Sequence, residues 1–377
     1  MNIYAVGGAI RDAVMGIPVN DIDYVVVGSS AEEMIALGYQ PVGKDFPVFL
    51  HPQTHAEYAL ARTERKTGVG YQGFHFYADP SVTLEQDLQR RDLTINAMAQ
   101  RVDDSGEQVG PIIDPYGGQN DIAAKVFRHV SAAFAEDPLR LLRIARFAAR
   151  FPQFTIAPET QEALQAIVKS GELSALSPER VWQELARGMG SADPLRMLEV
   201  LLETSAADQF LPQQLIAVCR NQPLKKQLAT NLDLLAVKKI ADVDLVCAVL
   251  LADLREDAIR QWSEKIRMPH GTRDFAELFS ALQKRVTQQG YSAVDILAWF
   301  NRADVWRKPE RAEKLIALAG VLGFHVERIS AGLAAALAID SQAVIQSLSR
   351  EDQQQGERIR STIDTARLQA VEAVTAT

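Results

Sequence analysis

The spacing of apolar residues changes once along this chain, near Pro138, and that switch constrains the fold more than any other feature. Before it, short apolar runs at 3–6, 24–27, 48–50, 58–61 and 126–128 are broken by Gly, Pro and Asp, with helical stretches such as 31–37 between them. That alternation predicts an α/β region. After it, Leu, Ala, Gln, Glu and Arg recur at helical spacing, predicting helices over 139–150, 160–168, 178–189 and 194–203. Asp137-Pro138 and Ser177-Pro178 each place a capping residue before a proline at a helix start. The predicted fold class is therefore α+β, an α/β unit followed by an all-helical remainder. A length of 377 residues leaves room for two to three domains, and no repeat of fixed period is present.

Composition narrows the function classes. With 47% hydrophobic and 23% charged residues the chain is of ordinary globular make-up, which excludes disordered, collagenous and disulfide-scaffold classes. Forty Lys+Arg against 48 Asp+Glu give a net charge of −8, so any contact with nucleic acid needs a local basic patch. Cys219 and Cys247 lack zinc-type spacing and read as reduced thiols of a cytoplasmic protein. The start, Met1-Asn2 and then an apolar run, has no targeting character, and no apolar stretch reaches the roughly 18 residues that span a bilayer. A soluble cytoplasmic protein is expected.

Two constellations carry chemistry. Gly7-Gly8-Ala9-Ile10-Arg11-Asp12 follows the first strand and leads into a helix, a turn at which the backbone can approach an anion such as phosphate. Alone it is equally a tight turn, and Arg11-Asp12 equally a surface pair. Asp21-Ile22-Asp23 comes next, directly before the apolar run 24–27. At a strand start, positions i and i+2 share a face, so the two carboxylates repel unless a cation sits between them. Such hard oxygen ligands suit magnesium held together with substrate phosphates. A solvated strand edge is the alternative for an isolated Asp-x-Asp; the nearby Gly-Gly turn tips the balance toward nucleotidyl transfer.

The second constellation is Arg90-Arg91-Asp92 with Asn96, after an acidic helix at 84–88. Adjacent arginines point in different directions, so they are expected to divide their roles, one on triphosphate oxygens and the other on a carboxylate. Asp92 and Asn96 are four apart and are expected to share a helical face that holds a ribose or a backbone turn.

In this order and spacing, GGAIRDAVMG, DIDYVVVG, RRDLTINAMA, IIDPYGG and EDPLRLLRIARFAAR resemble the bacterial class II tRNA nucleotidyltransferases, the CCA-adding enzymes, and their poly(A) polymerase relatives. The likeness is strong over residues 1–150, weaker to about 190 and faint beyond. It implies a polymerase β-like catalytic head at 1–130, a helical neck at 131–190 with the nucleotide-selecting residues, and a tRNA-binding helical body and tail at 191–377. Asp21 and Asp23 are implied to hold catalytic Mg2+, with Glu57 as a third acidic group. Gly8, Arg11 and Arg91 are implied to meet the incoming nucleotide, with Asp92 and Asn96 in the same pocket and Asp137, Arg140 and Arg143 choosing the base. A loop matching 64–77, with Gly68, Gly70 and Gly73, is implied to help switch specificity.

The implied activity is addition and repair of the 3′-terminal CCA of tRNA from CTP and ATP, without a nucleic-acid template and with release of pyrophosphate. The implied partners are the tRNA acceptor stem and 3′ end, with no membrane. The oligomeric state stays open, a monomer being slightly favoured. On the helix after Pro138, Leu141, Ile144, Ala145 and Ala148 form an apolar stripe with Arg143, Arg146 and Arg150 opposite, either a solvated face or a phosphate contact. Lys225-Lys226, Lys238-Lys239 and Arg307-Lys308 are further basic pairs that could meet RNA.

Rival readings are a poly(A) polymerase, an enzyme adding only CC or only A, and a non-catalytic RNA-binding protein. Val42-Gly43-Lys44-Asp45-Phe46-Pro47 has Asp45 where poly(A) polymerase relatives carry a second basic residue, which favours CCA addition. Some relatives carry a metal-dependent phosphohydrolase domain. Leu251-Ala252-Asp253-Leu254 has alanine where that site needs histidine, so a short form without this activity is expected.

Overall fold

The computed structural model describes residues 1–42, 48–66, 74–103, 105–240, 242–287 and 291–375. Gly68, Gly70 and Gly73 of the expected specificity loop, and the Gly43-Lys44-Asp45-Phe46-Pro47 stretch, lie outside the described residues. The chain divides into two compact units, Met1–Gly188 with Arg196–Gln209, and Met189–Leu195 with Phe210–Thr377.

In the first unit β1 (Asn2–Val6), α1 (Gly8–Val14), β2 (Asp23–Val27), α2 (Ala31–Ala36), β3 (Gln40–Val42), β4 (Val48–Leu50) and β5 (Glu57–Leu60) open the chain. They are followed by β6 (Arg62–Lys66), β7 (Phe74–Ala78), α3 (Leu84–Gln89), β8 (Ala99–Val102), β9 (Gln108–Ile113) and α4 (Gly118–Ala124). Next come β10 (Val126–Phe127), α5 (Leu139–Arg150), β11 (Thr155–Ile156) and α6 (Pro158–Ser170). The division between the units falls at the ends of α7 (Pro178–Met189) and α8 (Pro194–Glu203).

One sheet runs in the order β3-β4-β5-β2-β1-β8-β9, and only the β2–β5 pairing in it is parallel. The period-2 alternation of strands sorts the apolar residues to two faces. Val6 and Val25 pack on one side with Leu88 and Ala97, while Val26 and Ala5 belong to cores on the other, with Met34 and Ile10 respectively. Ile22 packs in the Ala5–Ile10 core, as expected for a residue facing away from its two aspartates. The roots of the expected specificity loop form the antiparallel pair β6–β7.

Helix α5 obeys local rules throughout. Asp137 Oδ1 accepts from the Leu139 N–H at 3.0 Å, satisfying one of the donors that a helix start leaves unpaired. Leu141, Ile144, Ala145 and Ala148 are buried as the stripe required, and the helix ends at Arg150, with a turn after Phe151. The basic edge is not a solvated face: Arg143, Arg146 and Arg150 pair with Asp92, Glu184 and Asp12.

The second unit is helical. It contains the end of α9 (Ala207–Phe210), then α10 (Gln213–Arg220), α11 (Gln222–Val237), α12 (Val243–Leu250), α13 (Glu256–Lys265) and α14 (His270–Thr287). After these follow α15 (Ala293–Ala303), α16 (Pro309–Val321), α17 (Glu327–Leu337), α18 (Ser341–Gln346) and α19 (Gly356–Thr375). Its core holds Phe279, Trp299 and Phe300, and the Trp299 indole donates to the Leu278 carbonyl at 3.0 Å, so the buried N–H is satisfied. Lys226, Lys238 and Lys239 are exposed. Asp253 accepts from Gln283 at 2.9 Å. Among the described residues no helix is long and apolar enough to cross a membrane, and Cys219 and Cys247 are buried.

Candidate active site

A cavity of about 630 Å³ opens in the first unit where the edge of the sheet, the segment after α3 and the first turns of α5 face one another. It is lined by nine arginines and five carboxylates, a local excess of positive charge in a chain of net −8. Gly8, Arg11, Asp23, Glu57, Arg91, Asp92, Asn96, Asp137, Arg140 and Arg143 all line it. Of the residues expected from sequence, Asp21 alone is not part of the lining.

The carboxylates come from strand ends. Asp23 opens β2 opposite Val6 of β1, and the parallel register Tyr24↔Tyr58 brings Glu57 to the same end of the neighbouring strand. Asp21, in the preceding loop, accepts from the Ile22 N–H at 3.0 Å. Burial raises the Asp23 carboxyl above its ordinary value, Arg91 pulls it back, and the nearby Asp21 charge adds to the rise. Among the described residues no three His, Cys, Asp or Glu side chains converge as a ready-made metal cage. The pair Asp21/Asp23, electrostatically coupled, is the donor set of hard oxygens that suits a divalent cation shared with a phosphate.

The Gly-Gly turn is built for close approach. Gly7 sits at φ +69°, ψ −124°, a backbone state reserved for glycine, and a Cβ there would lie 2.8 Å from Arg91 Nη1. Arg11 is not a surface group: it is 3% exposed, binds Asp12 through Nε (2.9 Å) and Nη2 (2.7 Å), and donates from Nη1 to Asn96 Oδ1 at 2.6 Å. Phe147 and Phe151 flank its guanidinium at 5.4 and 5.3 Å. Burial lowers its pKa, and Asp12 opposes that shift.

Asp92 and Asn96 meet, though not along an α-helix. Only Thr94–Asn96 forms a short 3-10 turn, and Asn96 Nδ2 donates to Asp92 Oδ1 at 3.0 Å. The other oxygen of Asp92 takes both Nε and Nη2 of Arg143 at 2.7 Å. Burial alone would raise this carboxyl; Arg143, the Asn96 bond and Arg140 hold it well below the usual carboxylate range.

Arg90 and Arg91 depart from the sequence expectation. They do point apart, but both grip one carboxylate, Asp87, from its two oxygens. Neighbours on a helix surface lie three and four positions apart, so a single acid at 87 reaches both 90 and 91.

At the mouth of α5, Asp137 uses Oδ1 as the helix cap and leaves Oδ2 uncommitted. Arg140 donates from Nη2 to the Arg90 carbonyl at 2.6 Å, while its buried Nη1 has no partner.

Residues 3–128 match the family described as "Poly A polymerase head domain", and residues 153–216 the one described as "Probable RNA and SrmB- binding site of polymerase A". The curated protein "Multifunctional CCA protein" of Burkholderia pseudomallei (strain 668) is 46% identical over 411 residues, covering 98% of each chain. This chain belongs to the multifunctional CCA protein family. The counterpart from Paraburkholderia phytofirmans, also 46% identical, covers 99% of each. Solved structures share the family fold at lower identity. The Bacillus stearothermophilus CCA-adding enzyme in complex with CTP has a TM-score of 0.66 at 22% identity, over 98% of this chain and 89% of that one. The Thermotoga maritima CCA-adding enzyme complexed with tRNA has a TM-score of 0.63 at 19%, over 100% and 88%.

Sequence reasoning passed over several residues of this family member's cavity. Arg62, Glu64 and Arg180 line it, and Asp87 and Glu184 hold its arginines. Asp87 carried a readable signal, lying three and four positions before Arg90 and Arg91 on a helix. Glu184 is an ordinary charged residue whose partner, Arg146, lies far away in sequence.

Proposed function

We propose that this member of the CCA family adds C, C and A in turn to the 3′ end of tRNA, taking CTP and ATP and releasing pyrophosphate. The observation that carries this reading is the pair of open groups on α5, Asp137 Oδ2 and Arg140 Nη1, in the cavity that also holds Asp23 and Arg91. An acceptor beside a donor matches what cytosine and adenine have in common, an exocyclic amino donor next to a ring-nitrogen acceptor. Guanine and uracil present the reverse order, and pairing them here would leave buried polar groups unsatisfied. A protein that reads one base edge in this way needs no template strand.

The attacking group is the terminal ribose hydroxyl of the tRNA, and the bond broken joins the α- and β-phosphates. Asp21 and Asp23 are the residues to hold Mg2+, with Glu57 as a further carboxylate at the same sheet edge. When bound, the metal supplies activation of the hydroxyl and neutralisation of charge on the leaving pyrophosphate. Arg91 and the Gly7–Gly8 turn face the phosphates, and Arg91 is suited to fork onto their oxygens. Arg11 and Asn96, bonded to each other and to Asp12 and Asp92, brace the floor on which the nucleotide lies. The head, neck and body boundaries at 130 and 190, the cytoplasmic setting and tRNA grip by the exposed lysines of the helical unit belong to the same proposal.

The test uses purified protein, magnesium and tRNA transcripts ending before CCA, after C and after CC, with CTP and ATP supplied singly and together. Two C additions with CTP, then one A only on the CC end, support the proposal. A long A tail supports a poly(A) polymerase, and binding without extension a non-catalytic RNA-binding protein.

A further inference from the structure

Asp87 on α3 is the most buried charged side chain of the first unit, with 0% of its surface exposed, and it does not line the cavity. Its Oδ1 accepts from Arg90 Nε at 2.9 Å and from the Arg62 backbone N–H at 3.3 Å, and its Oδ2 from Arg91 Nη2 at 3.3 Å. Arg90 has a second acid, Glu64, at 2.6 Å, whereas Arg91 reaches toward Gly7 and the Asn96 carbonyl with Nη1. Arg91 Nε is buried without a partner. Arg91 Nη1 thus stands beside the Gly-Gly turn, with the Asp23 charge nearby favouring its charged form. A buried guanidinium with an unbonded nitrogen favours an anion at its open side.

We infer that Asp87 is a positioning residue for nucleotidyl transfer: by engaging both arginines it turns Arg90 toward Glu64 and leaves Arg91 directed at the phosphates of the incoming nucleotide. The inference rests on the reaction proposed above. Without the carboxylate charge the two adjacent guanidiniums repel, and Arg91 loses the acid it is bonded to. Because Asp87 contacts no base, its removal weakens CTP and ATP alike and leaves the choice between bases unchanged.

The experiment measures kcat and KM for CTP on tRNA lacking CCA and for ATP on tRNA ending in CC, together with melting temperature, for wild type, Asp87→Asn, Asp87→Glu, Arg91→Ala and the Asp87→Asn/Arg91→Ala double variant. Asp87→Asn is expected to raise both KM values about tenfold or more by the same factor, with kcat per folded molecule changed less and the CTP-to-UTP preference unchanged. On the Arg91→Ala background the same substitution is expected to move KM less than about twofold, because its effect runs through Arg91. Should Asp87→Asn not fold, Asp87→Glu carries the test: charge is kept but displaced, and a KM rise of about threefold is expected, smaller than that of the neutral variant. Wild-type KM in the folded Asn or Glu variant, or full additivity with Arg91→Ala, overturns the inference whatever happens to the melting temperature. A wild-type protein that extends no tRNA overturns the underlying reaction instead.

Discussion

Asp12 Oδ2 accepts from Arg150 Nη2 at 2.8 Å, joining α1 to the last turn of α5 across 138 positions of sequence. The same carboxylate holds Arg11, so one acid pairs with two arginines and ties the Gly-Gly turn to the helix that carries Arg140. Breaking a buried pair costs about 3–5 kcal/mol, but Arg150 keeps 38% of its side chain exposed and is screened. Asp12→Asn is therefore expected to destabilise the protein by about 2 kcal/mol. Urea denaturation checks this, and an unchanged midpoint would show that the pair contributes nothing.

Replacing Asp21 or Asp23 by asparagine keeps the shape and removes the charge that a divalent cation needs. Extension of tRNA is expected to fall about 10³-fold or more, the several kcal/mol a metal contributes at a transferring phosphoryl group. Chelation should do the same to wild type and be reversed by added magnesium. Turnover within about tenfold of wild type in both variants would refute the assignment.

Asp137 both caps α5 and is proposed to read the base, and Asp137→Asn separates these roles, since asparagine caps a helix as well as aspartate does. The fold is expected to survive, while the preference for CTP over UTP in kcat/KM drops about 10- to 100-fold, the worth of one base-edge contact. Equal losses for all four nucleotides would argue against base reading.

The Asp92–Arg143 pair makes stability depend on pH in a defined direction. Arg143, Asn96 and Arg140 overcome burial and hold the Asp92 carboxyl below its unfolded value. Its contribution is thus complete above an unfolded pKa of about 3.9 and is lost as pH falls below that, toward the depressed folded value. The stability gap between wild type and Asp92→Asn is expected to be constant near neutrality and to narrow below about pH 4. A gap that widens on acidification would contradict the pairing.

Gly7→Ala tests the close approach of backbone and guanidinium. The positive φ alone costs about 1–3 kcal/mol in a state reserved for glycine, and the new Cβ would stand 2.8 Å from Arg91 Nη1. The variant is expected to melt earlier and to lose affinity for CTP and ATP together in equilibrium binding. Gly16→Ala, also at positive φ but with nothing within 4 Å, should lose stability only.

The elements and the two constellations were legible because they are encoded locally. The bounds of α5, Leu139–Arg150, coincide with the expected helix, since Asp137-Pro138 marks its start and a 3.6-residue stripe its length. Strand periodicity likewise turns Ile22 into the core opposite Asp23, while Asp21 lies in the loop before β2. Asp92 and Asn96 do meet, across a 3-10 turn and not along a helical face. What local rules do not reach is a contact that jumps along the chain: the alternative of a surface pair at Arg11-Asp12 fails because the pair is buried against Asn96 and Arg150.

Periodicity, caps and glycine turns thus determined which segments become strands and helices, because each depends on neighbours within a few positions. Tertiary structure alone decided which distant acid answers which arginine: Asp92 for Arg143, Glu184 for Arg146, Asp12 for Arg150. Charged side chains are chemically interchangeable along a sequence, and burial in one cavity is what turns a surplus of arginines into a set of fixed directions.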